Sequence, residues 1–556
     1  MPTVPPSRAV SGSESTPQIP EATLDELLLP LPPGVGDRPA LIDGATGERW
    51  SHQEVRERAL ARAQDARHTG VEPGQRVLLA LPNGLDFAAA LLGLLAAGAV
   101  VSPVDPRTPA PELARRAETI GARTLLGSPE GKLTRLSTGP GGANSHNAGT
   151  PAGLALLPWS SGTTASPKPV AVTHRNAVAG LVQLAAAQPL APDDVLLGAL
   201  PFCHLFGMQY VLNHALLSGA SVVLLPRWNA RAALDAAAAH GITVLHAAPP
   251  MVHDLAAEAE HPQNRPRPRR PGRLQQVLSG GAPLDPETAT RCERALGVPV
   301  DGAYGLTEVN TCHFTRRGAA RRPGSSGHPV PGTEYRLVTP DGPGDWPTGT
   351  GELHLRGPQV AAGHLAPDGR LVAATDSDGW LATGDLARVD TDGCLYVLDR
   401  LKDVIKYNGH QISPAEVEAV LRTHPAVADA ALVPVPDRRA GQLPLACVVP
   451  AAGSHLTPEL CAEIKAGRGD EPVLGNPLTA GREERQVHLP PDAGVGGGDP
   501  LRLRGALGVA EGERHPAAHL HVVVLGEGAA AVHVEVVETP LDLRCQKIPL
   551  GHRCSS

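Results

Sequence analysis

A segment rich in small hydroxyl residues and followed by a lysine is the sharpest chemical signal in the sequence. "LLPWSSGTTASPKPVAVTHRN" predicts a strand that ends near Leu157, then a loop that leads to Lys168. Such a loop offers hydroxyls, unpaired backbone N–H groups and an ammonium, which together suit phosphate oxygens. It is not a Walker loop, which would need glycine at Pro167 and serine or threonine at Pro169. Taken alone, the segment also fits a plain Ser/Thr/Gly-rich linker.

The segments before this loop alternate between strand-like and helix-like patterns. "ALIDGATGERW" predicts a hairpin, and Ser51 with Glu54 forms a capping box that opens a helix to about Arg67. "QRVLLALPNG", a buried helix from Phe87 that stops near Gly98, and the strand in "AVVSPVDP" continue the alternation. This alternation predicts a doubly wound α/β region with a largely parallel sheet.

The composition and the pattern of the sequence change after this region. Between Gly127 and Gly153 the residues are mostly Gly, Ser, Pro, Asn and Thr, which predicts a surface loop. From about Gly351, short strands with turns predict a β-rich subdomain. A helix from Ser413 or Pro414 to about Arg422, followed by a strand, predicts the start of a second, smaller domain.

Length and composition favour a multidomain protein that acts on small molecules. The chain has 556 residues, and with 3% aromatics its core must be filled by Ala, Val and Leu. A net charge of -8 over this length favours neither a nucleic-acid nor a membrane-surface partner. The longest apolar run, Phe87 to Val101, is shorter than the ~20 residues of a membrane span, so we expect none.

The spacing of the cysteines and the residues at the amino terminus bear on the cellular compartment of the protein. Eight cysteines are scattered without a CxxC spacing, which argues against a zinc ribbon or a disulfide framework. Residues 1–20 lack the basic start and apolar run of a secretory signal. We therefore expect a cytoplasmic protein.

Several segments together resemble one family. Ser160 to Asn176 is similar to the signature loop of the adenylate-forming superfamily, which includes acyl-CoA synthetases, 4-coumarate-CoA ligases, firefly luciferase and peptide synthetase adenylation domains. "LPFCHLFGM", "LSGGAPL", "DGAYGLTE" and "GWLATGDLARVD…LYVLDRLKDVIKYNGHQISPAEVE" match in the family's order, and "GELHLRG" resembles the second box of the coumarate ligases. The resemblance covers about residues 20 to 450 and is closest to acyl-CoA synthetases and 4-coumarate-CoA ligases.

The resemblance implies a two-step reaction on a small-molecule carboxylic acid. A carboxylate is a poor electrophile, so its oxygen attacks the α-phosphate of ATP, which releases pyrophosphate and leaves an acyl-adenylate. The acyl group then passes to coenzyme A, and Mg²⁺ accompanies ATP. Transfer to a carrier-protein thiol, or a catalytically impaired nucleotide-binding homologue, are the alternatives. For the acid we expect an aryl or medium-sized apolar compound.

The resemblance also implies the division of the chain. It predicts a large N-terminal doubly wound α/β region with a β-rich subdomain, plus a small mobile α+β C-terminal domain, with the active site between them. The predicted limits are a disordered tail at 1–20, an AMP-binding domain at 21–399, a hinge at 400–402, the start of the small domain at 403–460 and a divergent segment at 461–556.

Phosphate contacts are assigned by resemblance to the signature loop. The residues implied are Ser160, Ser161, Gly162, Thr163, Thr164 and Lys168. The loop departs from the family's usual GTTGxPKG at Ala165 and Pro169. A Cβ at 165 hinders positive φ and Pro169 lacks an N–H, so the departure is expected to slow the loop or the reaction.

Nucleotide and metal contacts are assigned in the same way to three later motifs. Tyr304 would stack on adenine, Thr307 would donate to the α-phosphate, and Glu308 would bind magnesium, which prefers oxygen ligands. Asp385 and Arg400 suit the ribose hydroxyls. The remaining backbone positions implied are Gly280, Gly281, Ala282, Pro283 and Gly305.

Four further residues complete the implied machinery. His204 resembles the residue that lines the acyl pocket beside the carboxylate, with an ordinary core histidine as the alternative. Nearby Phe202, Phe206, Met208 and Gly207 indicate an apolar wall of that pocket. Lys402 matches the hinge about which the small domain rotates. Lys406 and Gly409 match the loop that faces the active site in thioester formation.

The tail departs from the family pattern. The family's small domain ends with a loop whose lysine reaches the α-phosphate and substrate carboxylate. Lys547 is the better candidate here, although Gln546 replaces the preceding glycine and the spacing is off by one. Between about His455 and Leu520 the composition resembles neither the family nor a compact αβ unit, which leaves a frameshifted gene segment and a divergent domain as the two hypotheses.

Overall fold

The structure is a computed structural model. It describes residues 10–11, 16–127, 133–136, 153–160, 167–261, 272–310, 312–339, 342–343, 348–366, 368–407, 410–412, 414–422, 424–437, 441–451, 521–525 and 531–532. The chain divides into two compact units, Met1–Leu398 and Asp399–Ser556.

The helices of the first unit follow the local signals in the sequence. Ser51 and Glu54 form the predicted capping box at the start of a helix that ends at His68. Within the described residues the α-helices are α1 Leu24–Leu28, α2 His52–His68, α3 Leu85–Ala96, α4 Ala110–Ile120, α5 His174–Ala187, α6 His214–Ser218, α7 Ala230–His240, α8 Pro249–Glu260 and α9 Pro286–Leu296. A π-helix, Phe206–Asn213, precedes α6 and was not predicted.

The strands alternate with these helices over the first three hundred residues and then follow one another directly. In the described residues up to Arg400 they are β1 Val10–Ser11, β2 Pro39–Asp43, β3 Arg49–Ser51, β4 Arg76–Leu79, β5 Val100–Pro103, β6 Thr124–Leu126, β7 Leu133–Arg135, β8 Leu154–Leu156, β9 Trp159–Ser160, β10 Lys168–Thr173, β11 Val195–Gly198, β12 Ser221–Leu224, β13 Val244–Ala247, β14 Gln276–Ser279, β15 Val300–Tyr304, β16 His313–Phe314, β17 His328–Pro329, β18 Glu334–Thr339, β19 Gly342–Pro343, β20 Gly349–Arg356, β21 Gly363–Leu365, β22 Leu371–Ala373, β23 Leu381–Val389 and β24 Leu395–Arg400.

Three sheets are built from these strands. One has the order β17-β16-β15-β14-β13-β11-β12-β2-β3 and is parallel from β15 to β2. The second has the order β22-β21-β10-β8-β5-β4-β6-β7, with β9 beside β10, and is parallel from β8 to β6. The third joins β1, β18, β20, β23 and β24, with β19 beside β18. Two α/β sheets and a β-rich sheet confirm the predicted fold class for the first unit.

Small residues allow the helices to approach the sheets and one another closely. Helix α3 is buried over most of its surface and lies against α2. A Cβ on Gly93 would lie 2.5 Å from the Cβ of Arg62 and 2.7 Å from the carbonyl oxygen of Ala59, so only glycine permits this crossing. Alanine, valine and leucine make up most of the buried core, as the composition predicts.

Two predictions on chain path need correction. The predicted loop between Gly127 and Gly153 contains β7, because Leu133 to Arg135 pair antiparallel with β6 and Leu133 is half-buried there. The predicted tail at 1–20 contains β1, which pairs with β18. Backbone pairing at a sheet edge explains both, since it requires little hydrophobic signal in the added strand.

The second unit begins with a hairpin and a helix. Its described elements after Arg400 are β25 Ile405–Tyr407, β26 His410–Ile412, α10 Pro414–Arg422, β27 Val427–Asp437, β28 Gly441–Pro450, β29 His521–Leu525 and β30 Ala531–Val532. Helix α10 and β27 confirm the predicted helix-then-strand pattern. Strand β29 pairs parallel with β28, and the rest of the predicted divergent segment lies outside the described residues.

Candidate functional site

The two motifs that are predicted to contact adenine lie at the carboxyl ends of neighbouring parallel strands. β14 leads into Gly280 and β15 ends at Tyr304, followed by Gly305. A Cβ on Gly280 would lie 3.2 Å from the carbonyl oxygen of Ala303, so the two strand ends approach closely. Ligands of open α/β sheets bind at this edge, where the strands end. The structure therefore brings "LSGGAPL" and "DGAYGLTE" together.

The loop after Gly280 is open to solvent. Gly281, Ala282 and Pro283 are exposed, and Gly281 has a φ of +89°, in the region that favours glycine. An exposed backbone segment is accessible to a ligand, and contact with a base edge requires such access. The assignment of these positions to adenine stays a prediction.

Tyr304 and Asp385 are joined by a direct hydrogen bond. The Tyr304 hydroxyl donates to Oδ2 of Asp385 at 2.6 Å, and both side chains are buried. Burial, together with the nearby Asp385 carboxylate, holds the pKa of Tyr304 well above its usual value. The backbone N–H of Asp385 also donates a hydrogen bond to Oγ1 of Thr383 at 3.1 Å. The predicted adenine and ribose residues are thus neighbours.

Glu308 is paired with a histidine that was not predicted. Oε1 of Glu308 lies 3.4 Å from Nε2 of His364, and both side chains are partly exposed. Burial lowers the pKa of His364, while the Glu308 carboxylate opposes that shift. A lone histidine in the short strand β21 carries no motif, so the sequence offered no signal for it.

Strand β21 connects Glu308 to the signature loop. His364 is the register partner of Val170 on β10, and β10 begins at Lys168. Lys168 is exposed and faces Ser160 across the β9–β10 pair. The hairpin arms therefore hold these two predicted phosphate ligands opposite each other. The other predicted loop ligands, Ser161, Gly162, Thr163 and Thr164, lie outside the described residues.

His204 lies just before the π-helix and is exposed to solvent. The protein around it nevertheless desolvates the ring and lowers its pKa, although the Asp105 carboxylate acts in the opposite direction. A side chain that contacts solvent and is still closely surrounded by protein is typical of the wall of an open cleft. The alternative of an ordinary core histidine does not fit this exposure, and the role beside the acyl group stays a prediction.

The apolar residues around His204 separate into core and site. Phe202 packs against Phe87 with ring centroids 5.5 Å apart, and Met208 is fully buried, so both belong to the core. Phe206 is half-buried, and a Cβ on Gly280 would lie 3.3 Å from its Cζ. The predicted pocket wall of phenylalanines and methionine is therefore reduced to Phe206.

The predicted residues of the second unit are described separately. Arg400 ends β24, and its N–H donates to Oδ1 of Asp399 at 2.7 Å. Lys402 is exposed, and Lys406 is the register partner of Gln411 in the β25–β26 hairpin. Gly409 and Lys547 lie outside the described residues.

The donor set around Glu308 fits magnesium better than a transition metal. The described residues contain no cluster of three or more His, Cys, Asp or Glu side chains able to hold a metal ion. Mg²⁺ is usually bound by one or two carboxylates together with substrate phosphates and water, so a single partly exposed glutamate is sufficient. Thr307, half-exposed beside it, adds a hydroxyl.

Comparison with known proteins decides the family. Residues 33–365 match the model of the AMP-binding enzyme family, and residues 416–471 match the model of the AMP-binding enzyme C-terminal domain. The chain is an AMP-binding enzyme. The adenylate-forming resemblance in the sequence is thereby confirmed.

Relatives of this AMP-binding enzyme include ligases and adenylating enzymes. A 4-coumarate--CoA ligase 5 from Oryza sativa subsp. japonica is 34% identical over 467 residues, which cover 77% of this chain and 85% of that protein. O-succinylbenzoate CoA synthetase (MenE) from Bacillus subtilis, in complex with the acyl-adenylate intermediate OSB-AMP, is 25% identical with a TM-score of 0.63, covering 75% of this chain and 87% of that one. ATP-bound MatB from Rhodopseudomonas palustris is 24% identical with a TM-score of 0.69, covers 79% and 90%, and supports the fold.

Proposed function

We propose that this AMP-binding enzyme is an AMP-forming acyl-CoA synthetase, which activates a carboxylic acid with ATP and transfers the acyl group to coenzyme A. The observation that carries the proposal is the convergence of motifs that lie far apart in the sequence. His364 pairs with β10 of the signature segment and also contacts Glu308. Tyr304 donates a hydrogen bond to Asp385, and Gly280 lies against Phe206 in the π-helix after His204.

This convergence supports a role for the charged and hydroxyl side chains of these motifs in phosphoryl transfer. Lys168 and the hydroxyl of Ser160, held opposite each other, suit the β- and γ-phosphates of ATP. Thr307 follows two residues after Gly305 and donates to the α-phosphate. Such donors stabilise the charge that develops on the phosphate as the carboxylate oxygen attacks. Pyrophosphate leaves, and the acyl group remains linked to AMP.

Glu308 would hold Mg²⁺ at this site. The ion supplies Lewis-acid polarisation of phosphate oxygens. The contact with His364 restricts the rotation of the Glu308 carboxylate, which keeps one oxygen directed away from the histidine. The chain thus contributes one orienting contact and one oxygen ligand, which suits an ion that arrives with its nucleotide.

His204 suits the acid end of the substrate. Because desolvation lowers its pKa, the imidazole is neutral at neutral pH. A neutral ring donates a hydrogen bond to a carboxylate without forming an ion pair, so the nucleophilic oxygen keeps its charge. The same ring contacts the acyl-adenylate after pyrophosphate has left.

Thioester formation is assigned to the second unit. The thiol sulfur of coenzyme A attacks the acyl carbonyl carbon, AMP leaves, and the thiol proton passes to solvent or a base. Lys406 on the β25–β26 hairpin and the hinge at 400–402, which includes Lys402, are proposed for this step from the motif alone. Relatives named as CoA ligases support coenzyme A as the acceptor.

The proposed location is the cytoplasm. The cysteines that the structure describes are free thiols, which fits a reducing compartment. In the same part of the chain, no helix is both long enough and apolar enough to cross a bilayer.

An acceptor assay tests the proposal. The protein is incubated with ATP, Mg²⁺ and a panel of aryl, short, medium and long acids, and hydroxylamine traps any acyl-adenylate. Addition of coenzyme A in place of hydroxylamine should yield an acyl-CoA of the expected mass. Adenylate without thioester would favour a carrier-protein acceptor, and ATP binding without any adenylate would favour an impaired homologue.

A further inference from the structure

Most of the motif "GELHLRG" lies in β20, which pairs antiparallel with β23. The register of this pair shifts in the middle, so that one residue of β20, Leu353, stands opposite the segment 383–385 of β23. The segment is therefore a β-bulge, a feature that re-aims side chains and is common beside active sites. Its last residue is Asp385, the proposed ribose contact.

Two hydrogen bonds from the bulge reach β20. The backbone N–H of Gly384 donates to Oε1 of Glu352 at 3.2 Å, and the Thr383 hydroxyl donates to the carbonyl oxygen of Leu353 at 2.7 Å. Gly384 has a φ of +72°, in the region that favours glycine. Because a bulge interrupts the regular ladder of the sheet, the Glu352 carboxylate supplies the acceptor that a strand carbonyl supplies elsewhere.

The second oxygen of Glu352 is also in contact with a side chain. Oε2 lies 3.4 Å from Nε2 of His354, and Nδ1 of His354 lies 3.3 Å from Nη2 of Arg336 on β18. Contacts at both oxygens restrict the rotation of the carboxylate. A carboxylate that accepts from a backbone N–H forms a charge-assisted bond, which is stronger than a neutral one. Glu352 is therefore a fixed support for Gly384.

The position of Asp385 depends on this support. Asp385 is 2% exposed, and its Oδ2 accepts the hydrogen bond of the Tyr304 hydroxyl. A carboxylate with so little accessible surface meets a ligand only from one backbone position, and a displacement of about 1 Å can cost a large part of such a contact. The residue that precedes Asp385 is the one that Glu352 holds.

We infer that Glu352 is a positioning residue for ribose recognition, because it holds the bulge at 383–385 so that Asp385 meets the ribose hydroxyls of the nucleotide. The inference rests on the proposed function, which requires ATP with its ribose at Asp385. Glu352 does not touch the nucleotide in this role and acts through the N–H of Gly384. The preference for a ribonucleotide over a deoxyribonucleotide then depends on a side chain outside the nucleotide site.

Nucleotides that lack one ribose hydroxyl test this role. Calorimetry with ATP, 2′-deoxy-ATP and 3′-deoxy-ATP in the presence of Mg²⁺ gives Kd without any acid. The wild-type protein should bind ATP about tenfold or more tightly than at least one deoxy analogue, because Asp385 then loses a hydrogen bond to a charged group. Glu352→Ala should reduce this ratio to about threefold or less, chiefly by weakening ATP. A purely structural role would weaken all three nucleotides alike and leave the ratio unchanged.

Matched variants locate the effect in the bulge. Glu352→Gln keeps an oxygen that accepts from Gly384 and should retain most of the preference. Glu334→Ala, on the neighbouring strand β18, removes a carboxylate of similar exposure that is paired with Arg356, and should leave the preference unchanged. In an Asp385→Ala background, Glu352→Ala should change the ratio no further, because both substitutions remove the same contact.

The positioning role and the proposed function fail in different ways. Three outcomes overturn the positioning role: equal binding of the three nucleotides by the wild-type protein, an unchanged ratio in Glu352→Ala, or a ratio as low in Glu352→Gln as in Glu352→Ala. Pyrophosphate exchange that is absent with every acid overturns the proposed function. If ATP still binds in that case, a ratio that depends on Glu352 supports the positioning role, whereas a protein that binds no ATP overturns both.

Discussion

The Tyr304 hydroxyl donates a 2.6 Å hydrogen bond to Oδ2 of Asp385, across a sequence separation of 81 residues. β15 supplies the tyrosine and the β-rich sheet supplies the aspartate. The bond therefore joins the sheet that carries Tyr304, the proposed adenine contact, to the strand that carries Asp385, the proposed ribose contact. Asp385 is held in a single orientation before any nucleotide arrives.

Replacing Tyr304 by phenylalanine should weaken ATP binding and stability together. The variant keeps the ring but removes a hydrogen bond to a buried carboxylate, which costs about 1.5 to 3 kcal/mol. We expect a lower melting temperature and a KM for ATP raised several-fold. Tyr396→Phe is the matched control, because its hydroxyl donates to Oδ2 of Asp390 at 3.1 Å at a more exposed position. Equal ATP KM values in Tyr304→Phe and wild type would refute the coupling.

Replacing Glu308 by glutamine should remove the metal ligand and leave the fold intact. The side chain is partly exposed, and one such charge seldom decides stability. We expect adenylation to fall by about a hundredfold or more, with a higher Mg²⁺ requirement and an unchanged melting temperature. Glu260→Gln, at a surface pair with Arg291, serves as the control. Unchanged adenylation would show that the assignment to Mg²⁺ is wrong.

Buried histidines should make the protein less stable in mild acid. Burial lowers the pKa of His214, His246 and His313 to about 3. Between that value and the ordinary pKa near 6.5 the unfolded chain binds more protons than the folded one, so stability is fully present above pH 6.5 and declines as the pH falls. Each histidine contributes about 1.4 kcal/mol per pH unit in this window.

Denaturant titrations at pH 5.5 and 7 measure that slope. His313→Leu should flatten it, because the variant removes one group that takes up a proton only on unfolding. His253→Gln, at an exposed position, should not. A slope as steep in His313→Leu as in wild type would contradict the effect of burial.

Two lysines of the second unit should separate the half-reactions. If the tail folds as in the family's small domain, Lys547→Ala should abolish adenylation and still convert a supplied acyl-adenylate to thioester, because that charge is needed only while the α-phosphate is attacked. Lys406→Ala should impair mainly the second step. Wild-type adenylation in Lys547→Ala would mean that the tail does not supply the catalytic lysine.

The sequence predicts those parts of the site that local motifs encode. Capping residues, glycines and alternating apolar patterns act over a few residues, so the α2 cap, the strand that ends near Leu157 and the helix from Pro414 to Arg422 were predicted. Partners that arise from packing between distant segments were not. His364 beside Glu308 and His246 beneath Phe206 depend on sheet order and on a π-helix, and no short pattern encodes either.

The prediction of an apolar pocket wall near His204 was partly wrong for the same reason, because side-chain burial depends on packing between distant segments. "LPFCHLFGM" marks several apolar residues without saying which of them face the core. Phe202 packs on Phe87 in the core, whereas Phe206, at the start of the π-helix, lies against Gly280. Burial of a given side chain depends on helix type and neighbours, which the spacing alone leaves open.

Acid-dependent exchange of labelled pyrophosphate into ATP tests the central claim most directly, because it reports reversible formation of an acyl-adenylate. We predict exchange that requires Mg²⁺ and a carboxylic acid, with acyl-CoA and AMP formed in equal amounts once coenzyme A is added. Binding of ATP with no exchange for any acid in a broad panel would contradict the claim and leave the chain as a nucleotide-binding homologue.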